Sequence, residues 1–329
     1  MAEPRITILV PSIGRMEYLP LTRRCANDQT RKDFRILILD NASPPEARAF
    51  FADWAKQDPR VEVVRADTRL PMFTNFNRGM RAVKTELVTF FHDDDFYEPD
   101  YLEVLIAELD RFPQAAFSGS NWSYIDETGA IMERRRWIER TEHWDMRRYM
   151  EELVGRGRNP VSMPGLVFRR DAFPPEGFDE EISIHYGDFI ILLRAAEDRG
   201  MVAVEKQVVR IRKHSGQASA QPLSMLALRT ELMSKYLDDY AGRHPEDHAL
   251  VAKLRKRIAL THRTGLVWGW LTGKDAGERE HCLELLGDTS VDVALRRMLG
   301  WADKRGLRPT RLGNRFVRVA RATASALRL

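Results

Sequence analysis

The stretch that most constrains the fold is Leu87-Val88-Thr89-Phe90-Phe91, five apolar or β-branched residues that run straight into His92-Asp93-Asp94-Asp95. A run of this length is too short for a helix and suits a strand buried on both faces. A helix is expected next: Pro99 fits its first turn, Asp100 sits at its positive end, and Leu102, Leu105, Ile106 and Leu109 recur along one stripe. Three carboxylates therefore stand where a central strand ends and a helix has not begun, the edge at which open α/β sheets keep their ligand crevice. Adjacent carboxylates repel, so the turn needs a cation. All-oxygen ligation suits Mg²⁺ or Mn²⁺, and a metal held by one or two carboxylates with its other positions open is how proteins present a nucleotide diphosphate. A solvated acidic turn is the plainer reading of any Asp run; the buried strand feeding this one argues against it.

The segments before it repeat the pattern. Ile6–Val10 is a first buried strand closed by Pro11-Ser12-Ile13-Gly14-Arg15, and Arg35–Leu39 a second that ends in Asp40-Asn41-Ala42-Ser43. Helices are expected after Arg15, over 45–56 and over 74–84, with a third strand at 61–64. Alternating strands and helices imply parallel pairing, which brings the three strand-end turns to one edge. The first turn has one glycine and no lysine, so neither a dinucleotide fingerprint nor a P-loop is present. Phosphates at this edge must be met by metal and basic side chains.

Length allows one large α/β domain and a smaller appendage. Cys25 and Cys282 are isolated, which argues for a reducing compartment, and with no signal-like start and no apolar span of membrane length the expectation is cytoplasmic. A net charge of +4 does not imply nucleic acid as partner, but 304–329 holds eight basic residues and no acidic one.

Taken together, the turn at 11–15, the Asp40-Asn41-Ala42-Ser43 turn, Asn75-Phe76-Asn77-Arg78-Gly79 and Phe91-His92-Asp93-Asp94-Asp95 resemble the GT-A glycosyltransferases of family 2, over roughly residues 6–219. Those enzymes are inverting and take sugars from nucleotide diphosphate donors. The resemblance implies a Rossmann-like, mostly parallel sheet with helices on both faces, Mn²⁺ or Mg²⁺ as cofactor, and a UDP-, dTDP- or GDP-sugar as donor. It places Asp40 and Asn41 at the nucleoside, Asp94 and Asp95 on the metal, and Asp93 beside them; Pro11, Ser12, Arg15, Asn75 and Asn77 fall at the donor edge. Three departures stand out: Ile13 where an aromatic residue is common, Asn41 where a second Asp is common, and His92 in place of a first Asp, which leaves His92 outside the expected ligand set.

Beyond Ala115 the pattern shifts to shorter strands, with a hairpin at Glu127-Thr128-Gly129, then a charged, Trp-bearing stretch over 133–149 that could serve as an acceptor loop whose aromatics stack on sugar faces and in the plainer, favoured reading is a solvated helix with Trp anchors in the core. Asp188 stands at or near the start of a helix through Leu192, Leu193 and Ala196. A helix cap is the ordinary role of such a residue. An inverting transfer needs a carboxylate to take the acceptor hydroxyl's proton, however, and Asp188 matches the family's catalytic Asp, with Gly187 where a Glu usually precedes it. Val208–Arg212 is an alternating strand that leads into Lys213-His214-Ser215-Gly216; the resemblance puts His214 on the metal, with Arg212, Lys213 and Ser215 able to meet phosphate.

The remainder reads as helices over 223–240, 249–271 and 278–301, then a basic amphipathic segment over 310–329 that suits an anionic membrane surface and equally an exposed end helix with one packed stripe or a disordered tail. The expected organisation is a catalytic domain over 1–220, with a nucleotide-sugar half to about 114 and an acceptor half from 115, followed by a helical region over 221–329. The expected activity is metal-dependent, inverting transfer of a sugar to a glycan or lipid-linked acceptor in bacterial cell-surface polysaccharide synthesis, in the cytoplasm or peripheral on the inner face of the membrane. A sugar-nucleotide nucleotidyltransferase would need a Gly- and Lys-rich triphosphate loop, and a non-catalytic binding module would not need Asp188 or His214.

Overall fold

The computed structural model describes residues 3–156, 159–181, 187–214, 225–272 and 276–304. The chain divides into two compact units, residues 1–152 with 159–219 and residues 153–158 with 220–329. The first begins with strict alternation: β1 (Ile6–Ser12), α1 (Leu19–Asn27), β2 (Phe34–Asn41), α2 (Pro45–Gln57), β3 (Val61–Ala66), α3 (Met72–Ala82) and β4 (Leu87–Phe90). It continues through β5 (Phe96–Tyr97), α4 (Tyr101–Arg111), β6 (Phe117–Ile125), β7 (Ile131–Arg135), β8 (Glu142–Trp144), α5 (Met146–Arg156, whose residues from 153 on belong to the second unit), β9 (Leu166–Arg169), α6 (Gly187–Ala196) and β10 (Met201–Arg212).

The strands form one sheet in the order β3-β2-β1-β4-β9-β6-β10-β5, with β7 on β6 and β8 on β10. β3, β2, β1, β4, β6 and β10 all run the same way, and β9 alone is antiparallel among them. Ile6, Ile8, Leu9 and Val10 are fully buried, as are all four residues of β4, which is what helices on both faces demand of a parallel sheet. Helix α4 buries the expected stripe of Leu102, Leu105, Ile106 and Leu109. Phe91 stacks on Tyr97 with centroids 3.7 Å apart, and Tyr101 meets both edge-on. Each such pair is worth about 0.5–1.5 kcal/mol beyond its buried area, so the acidic turn after Phe91 hangs from a stiff aromatic anchor.

Of the helix expected over 133–149 only the end is helical, where α5 begins at Met146. The first part of the stretch is strand β7, paired antiparallel with β6 around the predicted hairpin, and its next part is β8, paired with β10. Charged, exposed residues such as Glu133 and Arg134 have weak strand preference of their own; the open edge of β6 supplies the hydrogen bonds that override it.

The second unit is helical, with α7 (Met225–Arg243), α8 (His248–Thr272), α9 (Ala276–Glu284) and α10 (Ser290–Lys304). One helix was expected over 278–301, but the chain breaks between α9 and α10. Gly287 loosens the backbone there, and Thr289 caps the restart by accepting the Asp292 N–H at 3.2 Å. The basic segment over 310–329 lies outside the described residues.

Candidate functional site

Parallel pairing of β1 with β2 and β4 brings their C-terminal ends side by side, and the turns are laced to one another. Ser12 Oγ donates to Asp93 Oδ2 at 2.5 Å while accepting the Gly14 N–H at 2.9 Å. Thr22 of α1 donates to the Asp93 carbonyl at 2.9 Å. Gly14 has φ 85°, and a Cβ there would come within 2.8 Å of the Ser43 and Pro44 side chains of the neighbouring turn. That turn contains Ala42 at φ 55°, a left-handed conformation that is costly for a residue with a Cβ.

Arg15 reaches the centre of this edge. Its Nη2 lies 2.6 Å from Asp93 Oδ1 and 2.9 Å from Asp94 Oδ2, and its Nη1 lies 3.2 Å from His214 Nε2. His214 Nε2 is in turn 3.0 Å from Asp94 Oδ2. Asp95 is 3% exposed, and its Oδ1 accepts the Arg212 N–H at 2.9 Å. The peptide of His92 is pinned by Tyr97, whose hydroxyl accepts the His92 N–H at 2.7 Å.

Asp93 and Asp94 share the guanidinium of Arg15, Asp95 is met by the Arg212 N–H instead, and the three proton affinities differ accordingly. Burial pushes Asp93 up despite Arg15, and burial together with Asp94 pushes Asp95 well above the carboxylate range. For Asp94 the burial penalty is outweighed by Arg15, His92 and His214, and its pKa falls below the ordinary value. Burial lowers the pKa of His92, against the pull of Asp94. His92, Asp94 and Asp95 each offer a ligand atom, all within 4.8 Å of one another, close to the ~4.4 Å span of two opposed ligands at about 2.2 Å from one ion. His92 Nε2 is buried without a partner. A divalent cation fits this donor set: it would supply the missing charge and a partner for the imidazole. His92, set aside on sequence, is thus drawn into the cluster; the signal was its place in the Asp run.

The other expected residues separate into two kinds. Pro11, Ser12, Arg15, Asn41, Asn75, Asp93, Asp94, Asp95 and Asp188 line one cleft of about 400 Å³. Asn41 exchanges two hydrogen bonds with the Leu70 backbone, at 2.9 and 2.8 Å, which shapes the wall. Asn75 Oδ1 accepts from Arg78 at 2.8 Å. Asp40, Asn77 and Arg212 instead have their polar atoms engaged within the fold. Asp40 is 1% exposed, pairs with Arg65 at 2.6 Å and accepts the Ser43 N–H. Asn77 clasps Phe178 through both its N–H and its carbonyl. Arg212 donates to the carbonyls of Asp94, Asp126 and Glu127, tying the acidic turn to the β6–β7 hairpin. His214 meets the cluster through Asp94 and Arg15, and Ser215 lies outside the described residues. Arg69, exposed at the rim, was not anticipated; it lies in a loop before α3 that has no periodicity to read.

Asp188 faces the same cleft from the first turn of α6. Its Oδ1 is buried with no hydrogen-bond partner. Burial raises its pKa to about 7, with the backbone N–H groups of Phe189 and Asp188 itself pulling the other way. Gly187, the departure noted beside it, has a packing cause: a Cβ there would lie 2.1 Å from the ring of Phe73, which stacks on Phe178 at 5.0 Å. The cleft therefore holds one anionic carboxylate already paired with cations and one carboxyl poised to gain or lose a proton near neutrality.

A family model, Glycosyl transferase family 2, matches residues 7–173. The chain is 26% identical over 117 residues to the GalNAc(5)-diNAcBac-PP-undecaprenol beta-1,3-glucosyltransferase of Campylobacter jejuni, covering 35% of this chain and 36% of that one. It spans about half the length, or less, of curated relatives of this kind. Among solved structures, S. aureus TarS 1-349 in complex with UDP-GlcNAc aligns with a TM-score of 0.68 at 14% identity, over 91% of this chain and 87% of that one. The mannosyltransferase PcManGT from Pyrobaculum calidifontis, in complex with GDP-Man and Mn²⁺, aligns with a TM-score of 0.54 at 14% identity, over 99% of this chain and 87% of that one. At such identities the likeness is one of fold.

Proposed function

Because the chain belongs to glycosyl transferase family 2 and carries the GT-A fold, we propose that it transfers a sugar, with inversion, from a nucleotide diphosphate donor to a hydroxyl of a glycan or lipid-linked acceptor. The observation that carries this reading is the presence, in one cleft, of a cation-seeking carboxylate turn and a half-buried aspartate, Asp188, one of whose oxygens is buried and unpartnered. The nucleoside lies against Asn41 and Asn75, with Asp40 and Asn77 acting behind them to hold the wall and the 177–180 segment. Pro11, Ser12 and Arg15 form the floor beneath the diphosphate, and Arg212 supports the acidic turn from below.

Asp94 and Asp95, with His214 and His92, would hold Mn²⁺ or Mg²⁺. Such an ion, when bound, neutralises charge on the departing diphosphate. Asp188 accepts the proton of the acceptor hydroxyl as that oxygen forms the new glycosidic bond; its pKa of about 7 suits a group that must be ionised yet basic at neutral pH. Asp93, hydrogen-bonded by Ser12 and Arg15, fixes the turn in place.

The Campylobacter relative, whose named substrate is carried on undecaprenol, supports a lipid-linked acceptor, and a Bacillus subtilis relative named for teichuronic acid biosynthesis supports a role in surface polysaccharide synthesis. Residues 1–220 form the catalytic domain in this reading, and 221–329 a helical appendage whose basic end attaches to the inner face of the membrane. No helix among the described residues is long and apolar enough to cross a membrane. The test is a panel of UDP-, dTDP- and GDP-sugars, assayed for Mn²⁺-dependent thermal shift and nucleotide release. A response to none of them, with or without metal, overturns the assignment.

A further inference from the structure

Asp94 Oδ2 is approached by two groups at once, Arg15 Nη2 at 2.9 Å and His214 Nε2 at 3.0 Å, while Arg15 Nη1 lies 3.2 Å from the same His214 nitrogen. These three contacts cannot all be favourable. An imidazole nitrogen has one in-plane site: protonated, it donates to Asp94 and confronts the N–H of Arg15; unprotonated, it accepts from Arg15 and confronts the carboxylate. One contact of the triangle is therefore unsatisfied in either tautomer. Arg15 adds a second deficit, since its Nε is buried without a partner. Its side chain is 26% exposed and lines the cleft, so it has room to leave.

The 3.0 Å between Asp94 Oδ2 and His214 Nε2 also matches the spacing of adjacent ligands around an octahedral ion at about 2.1 Å. With a lone pair from each directed to one cation, both groups are satisfied and neither needs Arg15.

We infer that Arg15 is a resident counter-cation that occupies the metal-binding carboxylate until a diphosphate draws it away, so that divalent ion and nucleoside diphosphate bind as a coupled pair. The inference rests on the donor site proposed above. Before the donor arrives, Arg15 sits on Asp93 and Asp94 and opposes entry of the ion. A diphosphate offers the guanidinium a bidentate anion, Arg15 turns to it, and Asp94 and His214 are released. By linkage, the ion must then strengthen diphosphate binding by the same factor.

The experiment is calorimetric titration of MnCl₂ into the full chain, alone and with saturating UDP, GDP or dTDP, for wild type, Arg15→Gln and Arg15→Lys. Solution affinity of Mn²⁺ for each nucleotide is common to the three proteins and cancels in their ratios. Arg15→Gln is expected to bind Mn²⁺ alone roughly tenfold tighter than wild type and to lose most of the coupling. Arg15→Lys keeps the charge but loses the fork, so occupancy predicts tighter Mn²⁺ binding than wild type, whereas a simple field effect predicts no change. No gain in either variant, with the manganese-nucleotide complex still bound, overturns the inference and leaves the donor site standing. Absence of Mn²⁺ binding by all three proteins under every condition overturns both.

Discussion

Asp94 and Asp188 are the same residue type in the same cleft, and their surroundings drive them in opposite directions. Asp94 sits in a turn supplied with Arg15 and His214, which overcome its burial and hold it ionised. Asp188 is half-buried and meets no cation among the described residues, only two backbone N–H groups, and burial lifts its pKa to about 7. The comparison teaches that role follows from which counter-charges reach a carboxyl, a general route by which one fold assigns different tasks to identical side chains. It can be broken at either end.

The largest effect is expected at Asp188. Asp188→Asn removes the proton acceptor and should lower transfer by about a hundred- to ten-thousand-fold while leaving the affinity for the manganese-nucleotide complex unchanged. Transfer and nucleotide titration measured on one preparation check this; full activity in the variant ends the assignment of the base. Next comes Asp94→Asn, expected to weaken the metal-nucleotide complex by roughly ten- to a hundredfold, read by calorimetry with Mn²⁺.

Third is the pH profile. A base that must be ionised yields a kcat/KM that falls about tenfold per unit below its pKa, so the acid limb should bend near pH 7. A limb near pH 4 would place Asp188 in an ordinary solvated environment and remove the contrast with Asp94.

Stability in the presence of chelator sharpens the comparison through its sign. The folded pKa of Asp188 is raised, so the stability its neutral form contributes is present below the unfolded value of about 3.8 and is lost as pH rises through about 7. Asp188→Asn should accordingly match wild type near pH 4 and exceed it at pH 8, by at most about 4 kcal/mol. The folded pKa of Asp94 is lowered, so its contribution is present above the unfolded value and lost as pH falls through the folded one. Asp94→Asn should then be the less stable protein at pH 7 to 8. Urea titrations at the two pH values decide both signs.

The smallest effect tests how Asp188 is positioned. Gly187→Ala would press a methyl into the Phe73 ring and should cost about 1–3 kcal/mol, with a fall in kcat; Phe73→Leu in the same chain should restore part of each. An Ala variant with wild-type stability would mean that Gly187 is not required by packing.

Much of this site was legible residue by residue. Apolar runs such as Ile6–Val10 and Leu87–Phe91 specify buried strands because nothing else accommodates them, and the polar residues that end each run must fall at one edge once the strands pair in parallel. The misreadings lie where local preference was weak. The charged stretch over 133–149 became β7 and β8 up to Trp144, because β6 and β10 offered partners, and is helical only from Met146; the helix expected over 278–301 was divided by Gly287 and the Thr289 cap. Asn77 and Arg212 look like ligand-binding residues in a motif, yet Asn77 clasps a segment 101 residues away and Arg212 holds carbonyls 86 and 118 residues away.

The sequence by itself determined that a strand-helix alternation would gather acidic turns at one sheet edge, because hydrophobic runs and turn residues act over a few positions. Only the tertiary structure decided which carboxyls are charged. Burial and the approach of Arg15, His92 and His214 are properties of distance in space, and chain separations of 79 residues from Arg15 to Asp94 and 120 from Asp94 to His214 hold no trace of them.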